Sequence, residues 1–191
     1  SDDKYLTYQF IKENGLTAPE SYLPESLPDN LKFPIIVKPR IGCRSIGVSI
    51  ENSLSEVKSR LSYETGLMVQ ELVGTPDDEY TCTVACYEGE VSDSLVLRRV
   101  LRSGDTYQAF PTKSEIISSY IENLTKLLKI NGSCNFQLRV ENDIPKVFEI
   151  NCRYSGTTPF CSQLGFNPVE FYLKKSLGIT YTSKINYDAI V

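Results

Sequence analysis

The spacing of apolar residues along the chain predicts four helices. In each one, hydrophobic positions recur every three or four residues, and a capping residue or a glycine stands near the ends. In the first helix, Leu6, Phe10 and Ile11 fall on one face, which we expect to be the buried one. The predicted helices cover residues 3–14, 53–65, 114–130 and 167–177.

Short apolar runs and alternating apolar and polar residues predict β-strands in the rest of the chain. The pairs Glu88-Gly89 and Asn142-Asp143 stand between such segments and indicate tight hairpin turns. The predicted strands cover residues 34–39, 47–50, 67–71, 79–87, 90–100, 106–111, 134–141 and 144–151.

This order of elements predicts an α+β protein with two lobes, built from mostly antiparallel sheets with flanking helices. The boundary between the lobes is expected near Val73-Gly74, after the third predicted strand. We expect a leading helix in residues 1–20, a small lobe in residues 21–72, a large lobe in residues 73–180 and a tail in residues 181–191.

Composition narrows the chemistry that the chain can perform. The 191 residues include no histidine. Ser-His-Asp triads, cysteine–histidine dyads and imidazole general bases are therefore excluded. Any reaction must depend on carboxylates, lysine, arginine, backbone amides and bound ions.

Charge and cysteine usage favour a cytoplasmic protein without nucleic-acid or membrane partners. The chain has 20 Lys and Arg against 24 Asp and Glu, a net charge of −4, whereas nucleic-acid binding usually needs a basic surface. No apolar run reaches the roughly 20 residues of a membrane span, and the polar residues 1–10 do not resemble a signal peptide. The 6 cysteines include no Cys-x-x-Cys pair, which is typical of reduced thiols.

A basic turn connects the first two predicted strands. Lys38 lies at the end of one strand, and the segment 39–47 that follows contains glycine, serine and arginine. Such a turn can direct backbone N–H groups and cations at phosphates, although it lacks the P-loop sequence. A hairpin turn that contacts only water has the same composition and stays an alternative.

A second segment joins the two predicted lobes. Backbone groups of such a linker can pair with an adenine edge, while Glu71 can accept from an exocyclic amine and Glu79 from ribose hydroxyls. Taken alone, a strand end, a glycine turn and an acidic loop are ordinary surface features.

The last predicted hairpin carries the most specific pattern. Glu149, Asn151 and Arg153 share one face of a strand because side chains alternate, and Gln137 interrupts the apolar neighbouring strand. Burial of these groups without partners would be costly, whereas hard oxygen ligands suit magnesium that is shared with phosphates. A polar outer face of the sheet is the alternative.

Together, these segments resemble the ATP-grasp superfamily, and within it the carboxylate–amine ligases similar to the large subunit of carbamoyl-phosphate synthase. The resemblance covers residues 3–178, and its most specific part is NFQLRV followed by VFEINCRYSG. It implies a two-lobed ATP-grasp fold with ATP between the lobes and Mg²⁺, or Mn²⁺ in its place, as the second cofactor.

The resemblance also implies roles for individual residues, with the segment 42–47 as a flexible cover over the phosphates. Nucleotide would be bound by Lys4, Lys38, Arg44, Ser45, Gly47, Glu71, Leu72, Val73 and Glu79. Metal would be bound by Gln137, Glu149 and Asn151, while Arg153 and Lys38 would stabilise the transferred phosphoryl group.

Two features depart from the family pattern. Gln137 stands where other branches carry a carboxylate, which leaves fewer negative ligands. Members usually carry an N-terminal domain of about one hundred residues, and the resemblance begins at residue 3, after the position expected for that domain. We therefore expect the chain to be the ATP-grasp part of a longer protein.

The implied reaction activates a carboxylate as an acyl phosphate and joins it to an amine or similar nucleophile. Both are small-molecule partners that the sequence does not identify, and a homodimer is left open. A non-catalytic nucleotide-binding module, regulatory or for interaction, is the alternative function. Arg98, Arg99 and Arg102 form a second basic cluster: either one of Arg98 and Arg99 meets substrate, or the cluster guards a solvated edge strand. Residues 154–160 are expected to border the substrate pocket, where they either bind a carboxylate or form a plain loop.

Overall fold

The computed structural model describes residues 3–43, 45–102 and 104–190. These residues form two antiparallel sheets with helices packed against them. The helices are α1 (Lys4–Glu13), α2 (Leu54–Tyr63), α3 (Glu115–Leu128), α4 (Thr158–Gln163) and α5 (Pro168–Ser176). The strands are β1 (Ser21–Tyr22), β2 (Ile35–Pro39), β3 (Ser49–Glu51), β4 (Leu67–Glu71), β5 (Glu79–Tyr87), β6 (Glu90–Val91), β7 (Leu95–Arg102), β8 (Asp105–Pro111), β9 (Gly132–Glu141) and β10 (Ile144–Asn151).

The smaller sheet has four strands in the order β1-β4-β2-β3. Helix α2 covers one face, where Val57 packs into an apolar cluster with Val37 and Val69. The helix begins where the sequence predicts, because the hydroxyl of Ser53 accepts from the backbone N–H of Glu56. This sheet therefore holds β2 and β4, and with them Lys38 and Glu71, on a packed support.

The larger sheet has the order β10-β9-β5-β7-β8, and β6 pairs with β5. On one face, Ile121 and Leu124 of α3 belong to the same core cluster as Phe136 and Leu138. On the other face, Phe166 and other apolar side chains around α4 and α5 cover only part of the sheet. The remaining part of that face is polar, and it borders the candidate site.

Four details of the predicted elements are wrong. Leu6 of α1 is 56% exposed, whereas Ile11 is buried as predicted, together with Lys4 and Thr7. The second strand begins at Ser49 rather than residue 47, since Gly47 has a φ of 72°, outside the strand range. Residues 92–94 separate β6 from β7, and the expected loop after β10 includes helix α4.

Candidate functional site

A cavity of about 940 Å³ lies between the two sheets. Its lining combines the basic turn after β2, the linker after β4 and the polar face of the larger sheet. The structure brings most of the sequence-predicted residues to this one place: Lys4, Lys38, Ser45, Glu71, Val73, Glu79, Gln137, Glu149, Asn151 and Arg153. Leu72 and Gly47 do not line the cavity in the structure, and Arg44 lies outside the described residues.

A β-bulge in β10 directs Glu149 into the cavity. Val147 pairs with Leu138 and faces the core, whereas Glu149 pairs with Gln137, so Phe148 is the extra residue between two pairs. In a regular strand, residues two apart share a face, and Glu149 would then point into the core with Val147. The bulge moves the carboxylate to the polar face, as bulges beside functional sites often do.

Lys38 is buried at the centre of the cavity wall. Its Nζ donates to Oε1 of Gln70 at 2.7 Å and lies 5.4 Å from the ring centroid of Phe148. Burial, followed by the nearby charge of Lys4, lowers the pKa of Lys38 to about 7. An anion in the cavity would favour the protonated form, so this lysine is suited to binding phosphate.

The start of α1 is attached to the basic turn. Nζ of Lys4 donates to the backbone carbonyl of Gly42 at 2.7 Å. The carboxylate of Asp3, which caps the helix, pairs with Arg40 at 2.6 Å. These contacts place the lysine and the turn side by side at the rim of the cavity.

Backbone groups of the linker after β4 are arranged around Val73. Nη1 of Arg139 donates to the carbonyl of Val73 at 3.1 Å, and Lys146 pairs with the carboxylate of Glu71 at 3.2 Å. Within the described ranges, the backbone N–H of Val73 has no hydrogen-bond partner, although this residue is only 3% exposed. A buried N–H group without a partner calls for an acceptor, and a ring nitrogen of a purine would satisfy it.

Glu79 is the centre of a buried charge network. Nε of Arg99 donates to its Oε1 at 3.0 Å, and Nε of Arg139 donates to its Oε2 at 3.0 Å. Both carboxylate oxygens are therefore engaged by guanidinium groups, and the expected ribose contact of Glu79 stays a prediction. Because Arg139 also holds Val73, this network connects the sheet to the linker between the lobes.

The oxygen-bearing residues of the last hairpin have different partners. Nδ2 of Asn151 donates to Oε1 of Glu149 at 3.0 Å, which leaves Oδ1 of the asparagine free of protein donors among the described residues. No lysine or arginine in the described part of the chain forms an ion pair with Glu149. By contrast, Oε1 of Gln137 accepts from Nη2 of Arg99 at 2.8 Å. The metal assignments stay predictions, but these three side chains do not have equivalent surroundings.

Arg153 and the segment that follows it form the outer end of the cavity. The arginine is exposed, and its Nη1 donates to the carbonyl of Tyr154 at 3.2 Å. Beyond it, Oγ of Ser155 and Oγ1 of Thr157 lie 2.6 Å apart and also line the cavity. This end of the cavity therefore carries hydroxyls and an exposed cation.

Sequence reasoning left open or missed several residues that the cavity contains. Arg99 lines the cavity, whereas Arg98 stacks on Phe110 at 4.6 Å. Their strand β7 lies between β5 and β8, so the interpretation as an edge strand is wrong. Arg139 lies on the same face of β9 as Gln137, because residues two apart in a strand point the same way. This alternation in the sequence was sufficient to predict that Arg139 faces the site.

The comparisons with known proteins agree with this geometry. Residues 64–190 match the family model described as an ATP-grasp in the biosynthetic pathway with Ter operon. The chain belongs to the ATP-grasp family. The predicted two-lobed fold is confirmed by solved ATP-grasp structures that superpose on nearly the whole domain.

Three relatives show what this ATP-grasp domain is similar to. The C-terminal section of the carbamoyl phosphate synthase large chain from Aquifex aeolicus is 27% identical over 204 residues, which is 93% of this chain and 37% of that protein. The L-amino acid ligase from Bacillus licheniformis has a TM-score of 0.76 at 18% identity, over 99% of this chain and 52% of that one. N5-carboxyaminoimidazole synthetase from Staphylococcus aureus, complexed with ADP, has a TM-score of 0.81 at 15% identity, over 99% of this chain and 55% of that one.

The domain thus spans about half the length of these two solved structures and 37% of the curated relative. It is homologous to the carbamoyl phosphate synthase large chain and to D-alanine–D-alanine ligase A. No helix in the described ranges combines the length and the apolar character needed to cross a membrane.

Proposed function

We propose that this ATP-grasp domain binds ATP in the cavity between its two sheets and uses it to activate a carboxylate as an acyl phosphate for attack by an amine. The observation that carries the proposal is the convergence of Lys4, Lys38 and Arg153 with Glu149 and Asn151 on one cavity. Phosphoryl transfer needs alignment and charge neutralisation more than covalent chemistry by the protein. The cavity supplies both without histidine.

The linker and the basic turn would hold the two ends of the nucleotide. The backbone N–H of buried Val73, which has no partner among the described residues, suits the purine edge, and Lys38 at the cavity wall suits the phosphates. The turn around Ser45 lines the cavity and is exposed, with Ile46 72% exposed beside it. Closure of this turn would remove water from the phosphates and protect an acyl phosphate from hydrolysis.

The residues of β10 fit magnesium. Among the described residues, the Glu149 carboxylate forms no ion pair and the Asn151 amide oxygen accepts from no protein donor. Both are hard oxygen ligands, and magnesium is typically bound by one or two such groups together with phosphates. Glu149 and Asn151 would hold the ion, and when bound it would neutralise charge on the phosphate oxygens. Arg153 would stabilise the phosphoryl group at the outer end, where the carboxylate substrate enters.

Location in the cytoplasm would fit this role, since the described cysteines are all free thiols and the cytoplasm keeps thiols reduced.

Three measurements test the proposed function. Calorimetric titration with ATP and Mg²⁺ should show binding, and ADP release should rise when a pool of carboxylates and amines, including amino acids, is supplied to the chain. Binding without ADP release from any pool would indicate a non-catalytic nucleotide-binding module. Failure of millimolar ATP to raise the melting temperature would contradict the nucleotide site itself.

A further inference from the structure

We infer that Cys134 and Cys152 form a redox-sensitive pair, which a peroxide oxidises to a reversible disulfide that restrains the turn carrying Arg153. Sγ of Cys134 donates to Sγ of Cys152 at 3.9 Å, although the two residues are 18 positions apart in the chain. Neither thiol has a part in the proposed function, so the disulfide is a property beyond it. The expected effect of the disulfide on the reaction rests on the proposed function.

The register of the last hairpin places the two cysteines opposite each other. Asn151 pairs with Asn135 at the end of the β9–β10 ladder, so the next position on each strand brings Cys152 to Cys134. Opposite residues of antiparallel strands have Cα atoms about 4.5–5.5 Å apart, within the range of about 4.4–6.8 Å that a disulfide spans. The sulfurs would approach from 3.9 Å to the bond length of about 2.05 Å, which side-chain rotation can provide while the strands stay paired.

The two thiols differ in their access to solvent. Cys134 is fully buried in the core cluster that includes Phe136, whereas Cys152 is exposed. An exposed cysteine in contact with a second cysteine is the arrangement in which a sulfenic acid is converted to a disulfide. Cys43 is also exposed, but it has no contact with another cysteine within the described ranges. The pair, and not Cys43, therefore has the geometry for disulfide formation.

Oxidation takes two steps and consumes one peroxide. The sulfur of Cys152 attacks the peroxide O–O bond and takes one OH group as a sulfenic acid, while the other oxygen leaves with the thiol proton as water or, from an organic hydroperoxide, as an alcohol. The sulfur of Cys134 then displaces the sulfenic oxygen, which leaves with the Cys134 proton as water. The two thiols lose two electrons in total, the peroxide gains them, and a dithiol reductant reverses the disulfide. Transient disulfides of this kind are compatible with a compartment that keeps thiols reduced.

Cys152 lies at the centre of the turn that carries Arg153 towards the cavity. The backbone N–H of Arg153 donates to the carbonyl of Asn151 at 2.8 Å, so the chain turns around Cys152. Nη1 of Arg153 donates to the carbonyl of Tyr154 at 3.2 Å, and the side chain must leave this acceptor to reach a transferred phosphoryl group. A bond from Cys152 to β9 would hold the turn against the sheet and hinder that movement. We therefore expect the disulfide to slow phosphoryl transfer.

Peptide mapping by mass spectrometry tests the disulfide, with hydrogen peroxide as the oxidant and dithiothreitol as the reductant. We expect a peptide linked through Cys134 and Cys152 in the oxidised chain, and its loss after reduction. Cys43→Ser should form the same link, whereas Cys152→Ser should form none. Absence of the link in the unmodified chain, or a link between Cys152 and Cys43 in its place, would overturn the inference.

Hydrogen exchange tests the restraint on the turn without any need for activity, in the Cys43→Ser chain. Exchange of the amides of residues 152–156 should slow at least about fivefold on oxidation, whereas exchange of residues 45–48 in the basic turn should stay within about twofold. Equal exchange of residues 152–156 in the two redox states would contradict the restraint.

ADP release measures the effect on the reaction. In the Cys43→Ser chain, oxidation should lower carboxylate-dependent ADP release at least about fivefold, because a restrained Arg153 is misaligned with the phosphoryl group, and dithiothreitol should restore the rate. With Cys152→Ser added, the rate should no longer depend on oxidation. A mapped disulfide with an unchanged rate would overturn the effect on the reaction. Failure of the reduced chain to bind ATP would instead overturn the proposed function, while mapping and exchange would still decide the disulfide.

Discussion

Arg99 on β7 and Glu79 on β5 form a buried ion pair, with Nε of the arginine 3.0 Å from Oε1 of the carboxylate. Neither side chain is more than 8% exposed. The pair lies directly across neighbouring strands, and it fixes the guanidinium where it also reaches Gln137. One ion pair thereby links the stability of the larger sheet to the geometry of the candidate metal site.

Replacing Arg99 by methionine should destabilise the domain by about 3 kcal/mol, because Glu79 then loses one partner while it stays buried. Urea denaturation monitored by circular dichroism measures this loss. Arg98→Met is the matched control, since Arg98 stacks on Phe110 on the other face of the same strand. It should cost less than about 1 kcal/mol, and equal losses in the two variants would contradict the role assigned to the buried pair.

Lys38→Met should weaken ATP binding at least tenfold, about 1.4 kcal/mol, because the variant removes the cation at the cavity wall. Calorimetry measures the affinity, and Lys58→Met, an exposed position on α2, is the control that should not change it.

Nucleotide binding to the unmodified chain at pH 8 should take up a proton, because a bound phosphate raises the pKa of Lys38, which burial has lowered to about 7. Buffers with different ionisation enthalpies reveal that uptake, and an absence of uptake would remove Lys38 from the phosphate site.

The same lysine predicts how stability depends on pH without nucleotide. Because burial lowers the pKa of Lys38 in the folded state, the unfolded chain binds more protons between about pH 7 and the ordinary lysine value near 10.5. The contribution of Lys38 to the free energy of unfolding should therefore rise with pH across this window. Denaturation of the unmodified chain and of Lys38→Met at several pH values checks this, and parallel pH profiles would refute it.

Glu149→Gln should reduce ADP affinity at least tenfold in the presence of Mg²⁺ and have little effect in its absence, because the variant removes the one carboxylate of the last hairpin that faces the ion. Titration calorimetry with and without Mg²⁺ separates the two cases. Glu122→Gln, on the exposed face of α3, is the control for loss of a charge. A similar loss of affinity without Mg²⁺ would assign Glu149 to the nucleotide rather than to the metal.

Gly47 and Gly66 have the same backbone φ of 72°, but only Gly47 has close neighbours. A Cβ at Gly47 would lie 2.9 Å from Cγ of Pro39, whereas a Cβ at Gly66 would meet nothing within 4 Å. Gly66→Ala should therefore cost about 1 kcal/mol from backbone strain alone. Gly47→Ala should cost roughly a further 1 kcal/mol from overpacking, and equal melting temperatures for the two variants would contradict the contact with Pro39.

Local features of the fold could be predicted from the sequence because their causes lie within a few neighbouring residues. The caps Ser53, Ser114 and Asn167 begin helices as predicted, and the turn at Asn142-Asp143 has the positive φ values that favour such a hairpin. Strand β4 has the predicted bounds, and the polar pattern that ends β10 indicated the side of the cavity where Glu149 and Asn151 lie.

Tertiary structure alone decided the features that depend on a partner distant in the chain. The bulge at Phe148 lets Val147 face the core while Glu149 faces the cavity. The local spacing of apolar and polar residues does not show this change of face. The pairing of Arg99 with Glu79 and Gln137 needs three strands in register. The sequence by itself therefore determined the elements and the residue types of the site, whereas strand register and burial determined which of those residues can still bind a ligand.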